Sequence, residues 1–255
     1  MQNNDKLLIA KILDKIKFSK NKITYSEFLN EYQINRIEKE LRKIGFTNYF
    51  FEGGYDNSES KILVAYPESL GEYIARGNVK NILKAIKIEL PSEVYGKLGH
   101  RDYLGTVMSF GLVRERIGDI IGYKDCAYII VLEENAKYLK SSFEYERKFK
   151  KAKISIINID EIKTKPIEFE EIIISVNSIR LDSVISEVIK TSRKIAQGFL
   201  EEEKISINYT VETKPTKTTK EKDILIIRGK GKFIVDEFLG KNKKGKELIR
   251  IQKYK

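Results

Sequence analysis

Apolar residues recur at helical spacing near the start of the chain, at Leu7, Leu8, Ile12, Leu13 and Ile16. This spacing predicts a helix from about Asp5 to Phe18. The same reasoning predicts a second helix from about Ser26 to Ile44, which Gly45 should end. Two further apolar stretches, residues 46–51 and 61–66, are separated by glycine and aspartate-asparagine pairs and predict a hairpin with a long connection.

The middle of the chain alternates between strand and helix patterns. The predicted elements are, in order, Ile82–Leu90, Leu98–Leu112, Ile117–Ile121, Cys126–Leu132, Glu133–Phe149 and Lys153–Ile159. Their order, strand-helix-strand-strand-helix-strand, is the split βαβ arrangement of ferredoxin-like and RNA-recognition-motif folds.

The last part of the chain begins with a predicted linker, Lys163–Pro166, and a β-branched strand, Ile167–Val176. Two helices and three strands follow, at Leu181–Ile189, Ser192–Glu203, Ile205–Ile207, Ile224–Arg228 and Phe233–Phe238. The whole pattern predicts an α+β protein of three small domains. They are a helix-plus-hairpin domain (1–75), a ferredoxin-like, RNA-recognition-motif-like βαββαβ domain (76–165) and a C-terminal domain led by the linker strand (166–255).

Positive charge is concentrated in the last third of the chain. The 255 residues carry 48 Lys and Arg against 37 Asp and Glu, a net charge of +11 with a pI near 9.3. From Ile179 to Lys255 the counts are 19 against 11, whereas residues 1–178 hold 29 against 26. This balance favours a polyanionic partner, either RNA, DNA or an anionic membrane surface. Solubility alone is the simpler interpretation of excess lysine.

The chain lacks the residue types that many cofactor sites need. Cys126 is the only cysteine and His100 the only histidine, which excludes intramolecular disulfides, cysteine-rich zinc sites and histidine metal clusters within one chain. No apolar run is long enough to span a membrane, and the N-terminus has no secretory pattern. We therefore expect a cytoplasmic monomer without a cofactor and without membrane contact.

The two helices of the C-terminal part are joined by a very short connection, Lys190-Thr191-Ser192. Ser192 or Thr191 is suited to cap the second helix, whose inward stripe is predicted to be Ile195, Ala196, Phe199 and Leu200. Arg193, Lys194 and Gln197 lie off that stripe, with Lys190 and Arg180 beside them. A helix N-terminus with adjacent cations is a natural phosphate site. An ordinary solvated helix face explains the same pattern, and the spacing leaves both interpretations open.

Other basic positions are weaker candidates. Lys230 and Lys232 lie in a glycine turn between two predicted strands, and residues 241–246 form a second basic turn. His100 and Arg101 open the first helix of the middle domain, and Arg114 and Arg116 flank its second strand. These four are possible secondary RNA contacts, with a local structural role or a charged sheet edge as the alternative.

The middle domain lacks the pair of aromatic residues on which RNA-recognition motifs stack bases. Tyr128 is the lone candidate on its third strand, Cys126–Leu132, and a position in the core is the expected one. We therefore do not expect this domain to bind single-stranded RNA through its sheet.

Six separated blocks in the C-terminal part resemble one RNA-binding domain, the S-four domain, which is named after a small-subunit ribosomal protein. The blocks are Arg180-Leu181-Asp182, Thr191 to Gln197, Ile205 to Asn208, Lys214-Pro215, Asp223-Ile224 and Arg228-Gly229. The resemblance covers about residues 178–255. It implies that the second helix and the following strand-loop contact structured RNA, with Lys204, Asn208, Lys214 and Arg228 among the contacts.

The sequence departs from the S-four pattern at two points. Tyr209 follows the asparagine of the strand where the family often has glycine, and Glu202-Glu203 stand near the end of the second helix where glycine is also common. We expect the conformation of these loops to differ from the family, and the fold to be retained.

Motifs along the rest of the chain resemble the YlmH-type proteins of bacteria. The motifs are Phe51 to Asp56, Glu59-Ser60-Lys61, His100 to Gly105 and Arg114 to Ile120. The resemblance implies a middle domain like an RNA-recognition motif, a C-terminal S-four domain, and a role in ribosome-associated quality control on large subunits that carry stalled peptidyl-tRNA. The family is also encoded near cell-division genes. The implied partners are ribosomal RNA, transfer RNA and the large ribosomal subunit.

Two other functions remain open on the sequence. S-four domains often accompany pseudouridine synthases and methyltransferases, but the chain shows no methyl-donor loop and no aspartate-centred catalytic loop. A nucleic-acid-binding protein of cell division, with DNA or a membrane as partner, also fits the basic charge. We expect a non-catalytic RNA-binding factor.

Overall fold

The computed structural model describes residues 3–164 and 168–254. Lys165, Pro166 and Ile167, which complete the predicted linker and begin the predicted strand, lie outside the described residues. The chain forms two compact units, Met1–Thr164 and Lys165–Lys255.

Eight α-helices and thirteen strands lie within the described ranges. The helices are α1 (Asn3–Phe18), α2 (Glu31–Lys43), α3 (Glu72–Gly77), α4 (Val79–Ile82), α5 (His100–Ser109), α6 (Glu133–Tyr145), α7 (Leu181–Val188) and α8 (Arg193–Glu201). The strands of the first unit are β1 (Thr24–Tyr25), β2 (Tyr49–Glu52), β3 (Ile62–Ala65), β4 (Leu83–Glu89), β5 (Ile117–Gly122), β6 (Cys126–Leu132) and β7 (Lys153–Asn158). Those of the second are β8 (Phe169–Val176), β9 (Ile205–Ile207), β10 (Thr210–Val211), β11 (Ile224–Ile227), β12 (Gly231–Lys241) and β13 (Glu247–Tyr254).

Helix α2 begins at Glu31, later than the predicted start at Ser26. Asn30 ends the extended chain and caps the helix, because its side chain accepts a hydrogen bond from the Gln33 backbone at 3.0 Å. The Gln33 side chain accepts one from the Asn30 backbone at 2.9 Å, which completes a capping box. Residues 26–29 run beside β3 instead, so the predicted helix start is wrong.

The two N-terminal helices pack against a three-stranded antiparallel sheet of order β1-β3-β2. Gly45 follows α2 as predicted, with a left-handed φ of +65° that glycine adopts without strain. The helices and the sheet share one core, formed by Ile12, Ile16, Leu29, Ile34, Ile37, Leu41, Leu63 and Ala65. The predicted hairpin, β2 with β3, is confirmed, and β1 is an addition that the pattern did not predict.

Strands β4 to β7 and helices α5 and α6 follow the predicted order strand-helix-strand-strand-helix-strand. Their sheet is antiparallel with the order β5-β6-β4-β7. The first and third strands of the motif therefore lie in the centre, as in ferredoxin-like folds. Helices α5 and α6 cover one face of the sheet, where Tyr103, Val107, Leu139 and Phe143 are buried. The predicted βαββαβ arrangement is confirmed.

The opposite face of this sheet is covered by the N-terminal part of the same unit. Ile130 and Leu132 of β6 lie in one core with Phe28 and Val64. The approach is closest at Gly118, where an added Cβ would lie 2.6 Å from the Phe28 ring. The boundary that the sequence predicts between the first and second domains therefore falls inside one compact unit.

The second unit is a six-stranded antiparallel sheet with two helices. The strand order is β10-β9-β11-β12-β13-β8, and α7 and α8 pack on the face that carries Ile174, Leu225, Phe233 and Ile251. Strand β13 was not predicted, yet it pairs with β8 along its whole length and with β12 on its other side. The predicted basic turn at residues 241–246 connects β12 to β13.

Candidate nucleic-acid interface

The connection between α7 and α8 is a tight helix end that exposes a lysine. The Lys190 N–H donates to Glu187 at 3.3 Å, and the Thr191 N–H donates to Ser186 at 2.8 Å. These bonds form a Schellman motif, whose left-handed residue is usually glycine. Here Lys190 occupies that position with φ of +51°. Ser192 then caps α8, since its Oγ accepts from the Ile195 N–H at 3.3 Å, as one of the two predicted capping residues.

A buried carboxylate, Asp182, organises the basic face of this helix pair. Its side chain has no exposed surface. It accepts hydrogen bonds from Arg193 Nη2 at 2.7 Å, from Arg180 Nη2 at 3.1 Å and from Gln197 Nε2 at 3.1 Å. The side chains of Arg193 and Arg180 are still 52% and 39% exposed. The carboxylate therefore holds one edge of each guanidinium while the rest faces solvent.

The charge state of Asp182 reflects these contacts. Burial alone would raise the pKa of this carboxyl group, but the hydrogen bonds from Arg193, Arg180 and Gln197 outweigh it and hold the pKa below its ordinary value. The carboxylate is thus ionised at neutral pH and keeps both arginines in place.

Two predictions about α8 change in the structure. Gln197 is half-buried and bonded to Asp182, so its amide serves the internal network rather than an open surface. Ile195 was predicted to face inward, but its side chain is 53% exposed. In this short helix only Ala196 and Leu200 are buried. Lys194 lies beside Ile195 and is exposed, as predicted.

The strand-loop after α8 is held in two strained turns. Glu203 ends α8 with φ of +55°, and Asn208 and Tyr209 connect β9 to β10 with φ of +48° and +64°. Two positive φ values in a two-residue hairpin loop define a type I′ turn, for which glycine is preferred at the second position. The two departures from the S-four pattern therefore fall at backbone positions that favour glycine.

Asn208 has a structural role in this turn. Its side-chain amide donates to Asp223 at 2.9 Å, and its carbonyl oxygen accepts from the Ile224 N–H at 2.9 Å. Both ends of the Asn208 amide are therefore bonded within the fold, and its contact with RNA stays a prediction. Lys204 lies over the Phe199 ring at 5.5 Å and is paired with Glu202.

The remaining predicted cations of this unit divide between a groove and the open surface. Lys190 and Lys230 line one groove of about 560 Å³, together with Lys253, which the sequence analysis missed. Lys232 lies between two tyrosine rings, 5.1 Å from the Tyr209 centroid and 4.6 Å from that of Tyr254. Lys190 and Lys230 are exposed in the groove, and Lys214 and Arg228 are exposed outside it.

Arg114 and Arg116 of the first unit have partners within the fold. Arg114 donates to the carbonyl oxygens of Ile117 and Gly118. Arg116 lies 3.8 Å from carboxylate oxygens of both Glu27 and Glu134. These contacts give both arginines a structural role, and their secondary contact with RNA stays a prediction. They act where the N-terminal part meets the ferredoxin-like sheet.

His100 and Arg101 are exposed in the first turn of α5. The next residue, Asp102, caps that turn by accepting from the Gly99 N–H at 2.9 Å. It also accepts from Lys148 Nζ at 2.7 Å. The hydrogen bond with Lys148, with a further one from Gly99, holds the pKa of Asp102 below its ordinary value.

Asp119 connects two sequence motifs of the first unit through hydrogen bonds. Its carboxylate accepts from the Tyr55 hydroxyl at 2.9 Å and from the Glu59 and Ser60 N–H groups at 2.7 and 3.0 Å. Burial and the neighbouring Asp119 raise the pKa of Tyr55. The motifs at 51–61 and 114–120 are therefore held against each other by these hydrogen bonds, a contact that their spacing in the sequence could not predict.

Two searches of the described residues gave no site of another kind. Among residues 3–164 and 168–254, no three His, Cys, Asp or Glu side chains are grouped so that they could hold a metal ion. Within the same residues, no helix combines the length and apolar character that a membrane crossing requires.

The βαββαβ part of the first unit matches a known domain family. Residues 78–163 match the family model described as "Putative RNA-binding domain in YlmH". This segment is similar to that family, and we call it the YlmH-type domain. Its limits coincide closely with the start of β4 and the end of β7, so the match covers the whole ferredoxin-like motif.

Two known proteins are similar to a larger part of the chain. "Ribosome-associated protein quality control protein P2" of Bacillus subtilis (strain 168) is 28% identical over 207 residues, which are 80% of this chain and 77% of that protein. The solved structure titled "Cell division protein ylmH from Streptococcus pneumoniae" has a TM-score of 0.47 and 17% identity, and covers 64% of this chain and 97% of that one.

The YlmH-type domain does not offer the sheet face that RNA-recognition motifs use. Those domains stack unpaired bases on exposed aromatic residues of the central strands. Tyr128 is the only aromatic residue on β4 and β6, and it is 3% exposed. Ile130 beside it is buried against the N-terminal part. Any RNA contact of this domain must therefore use another surface.

Proposed function

We propose that this protein is a non-catalytic factor that binds structured ribosomal RNA, transfer RNA or both on the large ribosomal subunit. We further infer that it acts in the quality control of large subunits that carry stalled nascent chains. The C-terminal unit is the principal RNA-binding part in this proposal, and its contact face is built on the turn between α7 and α8.

The arrangement around Asp182 is the observation that carries the proposal. A buried carboxylate orients Arg180 and Arg193 while leaving about half of each side chain exposed. Guanidinium groups fixed in this way lose little side-chain entropy when they bind phosphate. Lys190 and Lys194 add exposed charge on either side of Arg193. Double-helical RNA hides its base edges from side chains, so such a face reads phosphate positions and helix shape.

The comparisons support the ribosomal setting. The YlmH-type domain belongs to a family described as RNA-binding. A relative aligned over 80% of the chain has a name that refers to ribosome-associated quality control.

Ribosome co-sedimentation of an Arg193→Ala/Lys194→Ala variant tests the assignment of the contact face. We expect the variant to dissociate from purified large subunits at a salt concentration that wild type tolerates, because each lost phosphate contact lowers the salt-dependent part of the affinity. Lys6→Ala/Lys11→Ala on α1 removes the same charge from exposed positions and is the matched control. If the first variant sediments like the control, with its fold intact by circular dichroism, the proposed face is incorrect.

Mapping of ribosomal RNA by mass spectrometry tests whether the protein is non-catalytic. A strain that lacks the gene should carry the same set of modified nucleotides as its parent. If one modification is missing and only the intact gene restores it, the protein is an RNA-modifying enzyme or an essential part of one.

A further inference from the structure

A short segment of the YlmH-type domain is strongly basic. Residues 147–153 contain Arg147, Lys148, Lys150, Lys151 and Lys153 and no acidic residue. Phe149, in the middle of the segment, is 1% exposed and packs against Phe143 and Tyr103 with ring centroids 5.0 and 5.8 Å apart. This anchor fixes the backbone, so the neighbouring cationic side chains are exposed in defined positions.

An ion pair places this segment beside the first turn of α5. Lys148 Nζ lies 2.7 Å from Asp102 Oδ1, and Arg101 precedes Asp102 in that turn. Arg101, Arg147, Lys150 and Lys151 therefore lie on neighbouring parts of one surface. We call these four residues the helix-end patch.

The charge of the helix-end patch is not neutralised within the fold. None of its four cations forms an ion pair in the part of the chain that the structure describes. The nearby carboxylates have other partners. Glu144 pairs with Lys140 at 2.6 Å and Asp102 pairs with Lys148, while Glu146 accepts a hydrogen bond from the Lys148 N–H at 3.3 Å. The four exposed cations of the patch are therefore available to an anionic partner.

An exposed aromatic residue borders the patch. Tyr145, at the end of α6 and two residues before Arg147, is 90% exposed. A large apolar ring left in water next to unpaired cations suits a contact with a nucleotide, because aromatic side chains stack on bases or sugars while cations bind the phosphates. Acidic polypeptides would use the cations but gain less from the ring.

We propose that the helix-end patch, bordered by Tyr145, is a second RNA-binding surface, which binds the phosphate backbone of a folded RNA. The domain then contacts RNA through the helix side of its fold and not through the sheet, which is covered. This proposal rests on the proposed function only in taking structured RNA as the partner. It adds a contact on the first unit that is independent of Arg193 and Lys194.

A binding experiment with four full-length proteins tests the helix-end patch. The patch variant is Arg147→Gln/Lys150→Gln/Lys151→Gln, and the matched control is Lys6→Gln/Lys11→Gln/Lys39→Gln, which removes the same charge from exposed positions of α1 and α2. Wild type and Arg193→Ala/Lys194→Ala complete the set. Each is titrated onto a labelled RNA hairpin with a stem of about 20 base pairs, long enough for a double-strand-binding surface, at several salt concentrations.

We expect the patch variant to bind about tenfold more weakly than the control. The slope of log K against log salt should also fall by up to about three, because the variant lacks three cations and each phosphate contact contributes roughly one. If the patch variant binds like the control while Arg193→Ala/Lys194→Ala is weakened, the patch proposal is overturned and the C-terminal face stands. The reverse result supports the patch and contradicts the C-terminal face. If polyglutamate competes as strongly as unlabelled hairpin, the partner of the patch is not RNA.

Discussion

At the scale of single residues, the second unit depends on one buried charged side chain, that of Asp182, which interrupts the apolar pattern of α7. Asp182 lies among Leu181, Val184 and Ile185 in α7 and is as buried as they are. An unpaired buried carboxylate is strongly unfavourable. Arg193 on α8 and Arg180 before α7 therefore stabilise the buried Asp182 carboxylate and also lie at the surface.

Asp182→Asn should destabilise the C-terminal unit by about 2 kcal/mol at pH 7, because the charge-assisted hydrogen bonds to Arg180 and Arg193 are weakened. The pKa of Asp182 is lowered in the folded chain. Its stabilising contribution is then full above the ordinary aspartate value of about 4 and is lost as the pH falls through the lower folded value. Hydrogen exchange of the peptide 181–201 should show the difference from wild type at pH 7 and a smaller one at pH 3.

Asp236→Asn is the matched control for this measurement. Asp236 pairs with the exposed Lys222 at 2.6 Å, and surface ion pairs contribute less than about 1 kcal/mol. An equal loss of protection in the two variants, or a difference for Asp182→Asn that does not change between pH 7 and pH 3, would contradict the role given to Asp182.

At the scale of elements, both helices of the C-terminal unit end in a Schellman motif without glycine. Lys190 after α7 and Glu203 after α8 have φ values of +51° and +55°. A left-handed conformation costs a residue with a Cβ about 1 kcal/mol. The two sites have the same backbone geometry and opposite charge. Comparing the same substitution at both sites therefore distinguishes an effect on folding stability from an effect on RNA binding.

Lys190→Gly and Glu203→Gly should each stabilise the C-terminal unit by up to about 1 kcal/mol, since glycine adopts this conformation without strain. Only Lys190→Gly removes a cation from the proposed RNA face, so only this variant should bind large subunits more weakly. Hydrogen exchange gives the stability and co-sedimentation gives the binding. Equal binding by the two variants would show that Lys190 makes no RNA contact.

Local sequence patterns predicted which helices and strands form better than they predicted where each one begins or which strands pair. The order of β4 to β7 followed from periodicity, and β6 and β9 were placed at the right residues. The start of α2 was missed because residues 26–29 are apolar enough to extend a helical pattern, while their backbone pairs with β3. Strand β13 was missed although Ile249 and Ile251 alternate with Arg250 and Gln252, which is the pattern of a half-buried strand. Its pairing with β8 and β12 identifies it.

The sequence predicted where the candidate site lies, but it did not predict the hydrogen bonds that connect its residues. Spacing brought Arg193 and Lys194 to an exposed face, and the structure places them there. The bonds from Arg193 and Gln197 to Asp182 join residues on two helices, so no single-helix pattern contains them. The same holds for Asp119, whose partners Tyr55, Glu59 and Ser60 lie far from it in sequence.

At the scale of the whole molecule, charge is distributed in two different ways. The last third of the sequence carries most of the positive excess, whereas residues 1–178 are nearly balanced. The near-equal numbers of acidic and basic residues in this segment do not show the helix-end patch, where cations cluster without carboxylate partners. A net charge summed over a long segment therefore does not reveal a local cluster of cations.

The most direct test of the account is a structure of the protein bound to the large ribosomal subunit. We predict that the turn between α7 and α8 faces ribosomal or transfer RNA, with Arg193 and Lys194 within hydrogen-bond distance of phosphate oxygens and the Arg180 guanidinium still held by Asp182. A complex in which this turn faces solvent or ribosomal protein, while another surface contacts the RNA, would contradict the central claim.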